Sequence, residues 1–331
     1  MTVSRFRHGI FATPNIGASR LMDMWNTENI FFVDGDNGSA GNGALSPDDA
    51  TTLPSIAVGY STRGGVVYVR PRMTTASAQT YYVDNITIPK TKPNMSIIGA
   101  GYEGCTSSQT GVQIKPSVVT DHLIDVQGAG LLLENMRLTL TGGTAATLKC
   151  IVNAVHDTSQ LYISAGLTIR GCRIENDKNH PAFGATTTTA AIGLGSCREV
   201  TIENNVIYNC LGGIAMGTTS GNSINLMIRN NFFGGVTTGR DCDIAFNLGA
   251  SYNMCILNNV FADGLPAHVG GGYGKFISIV GATATGIVAG NQFASNAADI
   301  QFGSDGTECT IPATFFFVDN YSQLGEIVGG T

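Results

Sequence analysis

Three near-copies of one short phrase lie between Val200 and Phe261: Ile202-Glu-Asn-Asn-Val-Ile207, Ile228-Arg-Asn-Asn-Phe-Phe233 and Ile256-Leu-Asn-Asn-Val-Phe261. Each runs from an apolar residue through an outward one and an Asn pair to a second β-prone pair. Asn tolerates the left-handed backbone and bonds its own backbone, so the phrase predicts strand, bend, strand. Weaker copies begin at Ile97, Leu133, Ile169, Val288 and Phe317, and the leads recur every 26 to 36 residues. A further β-prone run precedes most copies: Leu123–Val126, Ile192–Leu194, Ile244–Phe246, Ile277–Ile279 and Ile300–Phe302. Three short strands per repeat, with no helical pattern, predict a β-solenoid. One coil cannot bury its apolar side alone, so stacked coils share a core, with equivalent residues about 4.8 Å apart. The second Asn recurs at Asn205, Asn231, Asn259, Asn291 and Asn320. These predict an amide ladder inside the bend.

Composition agrees. Glycine is 43 of 331 residues and charged residues are 13%, against averages of about 7% and about 25%. Tight bends and little free surface account for both. The repeat predicts one elongated domain over residues 30–331, with a helical cap at 45–62. The cap is signalled by Ser46-Pro47-Asp48-Asp49, a helix start with acids near the positive dipole end, and by Pro54 opening a second short helix. Residues 1–29 fall outside the repeat. They mix Arg5, Arg7 and Arg20 with Phe6, Phe11 and Trp25, the residue types that interface centres favour, and predict a docking arm. The first seventeen residues lack an apolar signal core, which predicts synthesis in a cytoplasm.

Net charge is −6, and residues 210–331 hold 3 Lys/Arg against 8 Asp/Glu. An acidic far end argues against nucleic acid as partner, and no apolar run approaches the roughly 20 residues of a membrane span. The eight cysteines form no CxxC pair and no zinc spacing with His. Asp34 and Asp36 stand among glycines but lack the further ligands of a calcium loop. Asx-type turns are expected there, and no metal or cofactor is.

These features resemble the right-handed parallel β-helix superfamily of pectate lyases and phage tailspikes, over residues 30–325 or so. The opening segment adds to the likeness: Phe31-Phe-Val-Asp34-Gly-Asp36-Asn-Gly38-Ser39, Leu45-Ser-Pro-Asp48 and Gly65-Val-Val-Tyr-Val69 are similar to pectate-lyase-like phage proteins. The fold so implied is all-β, a right-handed parallel β-helix with a short N-terminal cap and arm. The resemblance also implies where chemistry would lie: Asp clusters with a Lys or Arg base in lyases, paired Asp with a Gly-His-Gly histidine in hydrolases. Here the second position of the phrase reads Glu134, Arg170, Glu203, Arg229, an alternating outward stripe that leaves no spare acid. Asp241 and Asp243 are the best remaining pair, and His268 stands in Ala-His-Val.

The expected function is therefore non-enzymatic: a phage virion structural protein, a capsid decoration (cement) protein or head fibre working as a β-helix homotrimer. It would be made in the host cytoplasm and sit on the capsid surface, with a major capsid or other virion protein as partner of the arm. The alternative is a tailspike-like polysaccharide depolymerase or glycan-binding spike, a lyase or glycoside hydrolase if an enzyme, with a host surface glycan as partner. Self-association is expected at the fifth position of the phrase, where Val206, Phe232 and Val260 form an outward apolar column between basic early coils (Arg137, Arg173) and polar late ones (Gln292, Tyr321).

Overall fold

The computed structural model describes residues 29–72, 81–100, 111–118, 121–140, 150–154, 165–176, 190–210, 212–217, 222–235, 242–247, 251–262, 275–281, 283–294, 309–322 and 325–327. Among the described residues the strands form three sheets of twelve, ten and eight strands, parallel throughout except for the last strand of the chain. One turn runs through Thr201–Glu203 in the first sheet, Val206–Tyr208 in the second and Gly212–Gly217 in the third, then re-enters the first at Met227–Arg229. The phrases stack residue for residue: Ile202 pairs with Ile169 and Ile228, and Ile207 with Ile174 and Phe233. The chain is an all-β parallel solenoid. Among the described residues its only α-helix is Pro54–Tyr60, and no helix is long and apolar enough to cross a membrane.

The bend between first and second sheets follows from the Asn pair. Its first residue is left-handed in every described coil that carries it, with φ of 55° at Asn204, 54° at Asn230 and 52° at Asn258. Gly171, Gly290, Asn135 and Asp319 hold the same place in other coils, the residue types for which this conformation is least strained. The next residue turns inward and is the predicted ladder. The Asn205 amide donates to Asn231 Oδ1 at 3.0 Å, Asn231 to Asn259 at 3.0 Å, Asn259 to Asn291 at 3.0 Å and Asn291 to Asn320 at 2.9 Å. The same amides bond the carbonyls of Ile169, Ile202, Ile228 and Ile256 one coil back. All five asparagines are buried, and each bond satisfies a group whose loss of water would otherwise be costly.

Inside, the sixth positions Leu138, Ile174, Ile207, Phe233, Phe261 and Phe293 are fully buried. The three phenylalanines stack at 5.0 and 4.9 Å with nearly parallel rings. A second column of left-handed residues escaped the sequence reading. Asn94, Gly130, Gly166, Glu199, Asn225 and Asn253 turn the chain back into the first sheet; five of the six are Asn or Gly, but they stand singly, without the Asn pair that marks the first corner. The three-strand repeat also gains a fourth short strand in places, where Cys197–Arg198 pairs with Ser223–Ile224.

The cap forms where it was expected. Ser46 Oγ accepts from the Asp49 amide at 3.1 Å, and the helix buries Pro54, Ala57 and Val58 on the end of the core. The first coil holds both helix ends: Asp84 Oδ2 accepts from the Ser55 amide at 2.8 Å, and Lys92 Nζ donates to the Val58 and Gly59 carbonyls at 2.6 Å. Charges at these ends complement the helix dipole. At the far end Gly325–Ile327 folds back antiparallel on Asn320–Ser322.

Candidate functional site

Pleating sends alternate residues outward, so each sheet presents columns of side chains to its surroundings. On the second sheet Arg137, Arg173, Val206, Phe232, Val260, Gln292 and Tyr321 follow one another in register. The structure thus brings the three residues of the expected interface into one column. Val206 and Val260 are half-buried and Phe232 is 36% exposed. The Phe232 ring lies over Gly234, where an added Cβ would meet its Cζ at 3.0 Å, so Gly234 is the seat of this ring.

Below the apolar column sits a charged group that sequence reasoning missed. Arg137 and Arg173 both pair with Glu175, and Thr139 donates to it at 3.3 Å. Glu175 is buried, while the Arg173 guanidinium lies 5.0 Å from the centre of the Tyr208 ring. The two arginines read as a basic strip thus share one carboxylate, which offsets one of their two positive charges. The available signal was parity: Glu175 stands two residues after Arg173 and shares its face.

On the first sheet the stripe resolves into pairs. Arg170 donates to Glu134 at 2.9 and 3.1 Å, and Arg229 to Glu203 at 2.7 Å. Glu134, although it faces outward, is buried. In the opening turn Asp34 accepts from the Asp36 and Asn37 amides and the Asn37 side chain at 3.0–3.1 Å and pairs with Arg70, while Arg72 pairs with Asp36. These are the expected Asx turns. Burial works against the charged form of Asp34, but the bonds from Asn37, Asp36 and Arg70 outweigh it and hold its carboxyl down at about 2. Asp243 is buried on the strand Cys242–Asn247. Asp241, His268 and the arm residues Arg5, Phe6, Arg7, Phe11, Arg20 and Trp25 lie outside the described residues.

The described cysteines are free thiols. Cys172 and Cys210 donate to the Arg170 and Tyr208 carbonyls at 3.4 Å, and Cys242 to Ile244 at 3.1 Å. Burial pushes Cys197 up to about 12 and Cys242 well above the usual thiol range.

A family model described as "NosD: Periplasmic copper-binding protein (NosD)" matches residues 103–326. Among solved structures the chain is similar to the pectin methylesterase from Aspergillus niger, at 10% identity and TM-score 0.46, covering 89% of this chain and 86% of that one. It is similar to the carrot pectin methylesterase at 11% identity and TM-score 0.48, covering 88% and 82%. It is also similar to the Dettilon tailspike protein at 14% identity and TM-score 0.33, covering 80% and 56%. No curated protein matches. Copper prefers clustered imidazole, thiolate or thioether donors, and thiol ligands bind deprotonated. The described donors do not fit that need. Cys197 and Cys242 are buried in the core, Cys242 donating to the Ile244 carbonyl, and His122 Nδ1 accepts from the Cys150 amide at 3.0 Å. Among the described residues no three His, Cys, Asp or Glu gather.

Proposed function

This chain belongs to the NosD family of parallel β-helix proteins, and on that premise we propose that it is a non-enzymatic structural protein of a phage virion. It decorates the capsid or forms a head fibre, acts as a homotrimer and attaches to a capsid or other virion protein through its N-terminal arm. The observation that carries this reading is the in-register column Val206, Phe232 and Val260 on the outer face of the second sheet. An apolar column on the outside of a rigid solenoid suits contact with another copy, most simply around a threefold axis with solenoids side by side. Five of the described acids support the non-enzymatic part. Glu134, Glu175, Glu203, Asp34 and Asp36 are each bonded to an arginine, whereas glycoside cleavage needs two acids facing across a substrate.

The test is mass by light scattering. The wild type is expected to be a trimer at micromolar concentration and Phe232→Asp a monomer, because the new charge would enter a desolvated contact. A monomeric wild type, or a variant with an undisturbed oligomer, overturns the interface. Release of oligosaccharides from a panel of bacterial surface polysaccharides would instead establish the depolymerase.

A further inference from the structure

The late coils of the first sheet turn an apolar face outward. Ile228, Ile256, Val288 and Phe317 pack on the core side, so alternation turns their neighbours away from it. In register these neighbours read Met227, Cys255, Ile287 and Phe316 in one column, and Arg229, Leu257, Ala289 and Val318 in the next. Arg229 is the one charged member, and it is paired with Glu203 on the coil before. The face is four rungs, about 14 Å, tall. Met227, Cys255, Leu257, Ile287 and Ala289 are half-buried, while Phe316 is 75% and Val318 43% exposed. Across the Asn corner, the same coils carry Phe232, Val260, Gln292 and Tyr321 on the outside of the second sheet.

We propose that this face receives the Val206, Phe232, Val260 column of a neighbouring copy, with the Asn corner of each subunit pointing at the threefold axis. This contact rests on the trimer proposed above and supplies its second surface. Two copies about a twofold axis can bury one patch against itself. Three about a cyclic axis cannot: what one copy presents, the next must receive on a different patch. With solenoids side by side and the axis along their length, each coil keeps its own height. The receiving surface must therefore lie on the coils that carry Phe232 and Val260. There the third sheet turns out the columns Ala215, Ala245, Ser278 and Gly217, Asn247, Val280, with one large apolar side chain among them. The first sheet turns out Met227, Cys255 and Leu257, with Ile287 one rung on. This face and the column also flank one corner, so they form the two sides of a wedge, and three wedges closing round an axis bury both sides of each. One coil farther along, Tyr321, 46% exposed, comes level with Phe316 and Val318 of the neighbour.

Mass by light scattering reads this face apart from the column. Ile287→Asp sets a charge in a desolvated contact and is expected to turn the wild-type trimer into a monomer, with the β signal in circular dichroism unchanged. Cys255 is the half-buried member of the described thiols, the others being buried, so the face carries its own reporter. Val260→Cys places a thiol level with Cys255 of the neighbour. On oxidation with diamide it should give disulfide-linked dimers and trimers on a non-reducing gel, and these should vanish when Cys255→Ser is added. If Ile287→Asp fails to fold, the cross-link decides alone. A trimer that survives Ile287→Asp overturns this face, and if Phe232→Asp still breaks that trimer, the trimer itself stands. A Val260→Cys trimer that gives no cross-link also overturns it. So does a cross-link that persists without Cys255, because it joins the column to another surface. A monomeric wild type overturns the face and the trimer together.

Discussion

Asn231 shows how much of this fold rests on single side chains. Its amide donates to Asn259 Oδ1 and the Ile202 carbonyl, and its oxygen accepts from the Asn205 amide and backbone. Asn231→Ala strands buried partners on both neighbouring coils and should cost on the order of 1–3 kcal/mol, read as a fall in melting temperature. Asn231→Asp keeps the shape but loses both donors and sets a carboxylate against two acceptors, so it should melt lower still. An Ala variant melting with the wild type would contradict the ladder's energetic role. Asp34 gives a residue-scale pH dependence. Its folded pKa of about 2 lies below its ordinary value of about 3.9, so its stabilisation is present above about pH 4. It is lost as pH falls towards 2. The melting difference between wild type and Asp34→Asn should therefore shrink between pH 4 and 2, and a difference constant across that window would contradict the assignment.

At the scale of an element, a coil is held by what lies directly above and below it. Phe261 is sandwiched between Phe233 and Phe293 and touches Phe276 at 5.9 Å. Phe261→Ala would leave a cavity in the middle of a stack that cannot close without moving two coils, and should cost about 3–5 kcal/mol, measured as a shift in urea midpoint. A shift worth less than about 1 kcal/mol would mean that the coils collapse onto the gap. The cap helix is too short to stand alone, and Asp84 and Lys92 secure its two ends from the first coil.

The whole molecule has two unlike ends. The first coil is closed by the helix Pro54–Tyr60. At the other end the strand Phe315–Val318, paired with Ala284–Ala289, is the last strand of the first sheet among the described residues. Its Phe316 and Val318 are exposed, and such an edge invites pairing with another chain. Phe316→Lys should lower concentration-dependent light scattering while changing stability by less than about 0.5 kcal/mol. Scattering as strong in the variant as in the wild type would show that this edge is covered in solution.

The amino-acid sequence by itself determined the repeat, its in-register stacking, the Asn ladder, the core positions, the cap and the column Val206, Phe232, Val260. Those features are written within one coil: an Asn pair that accepts left-handed backbone, and alternation that assigns each side chain to a face. The tertiary structure alone decided which side chains meet between coils and what lies over each face. Glu175 reaches Arg137 from 38 residues away, and Asp84 reaches Ser55 from 29, separations set by inserts whose lengths carry no pattern. The second left-handed corner stayed hidden because its Asn, Gly and Glu residues stand singly, without the Asn pair that marks the first. Val66-Val-Tyr-Val69 and Leu131-Leu-Leu133 read as strands without showing that their outward members are buried. Alternation tells a side chain's direction, and only the folded coil shows whether water or protein waits there.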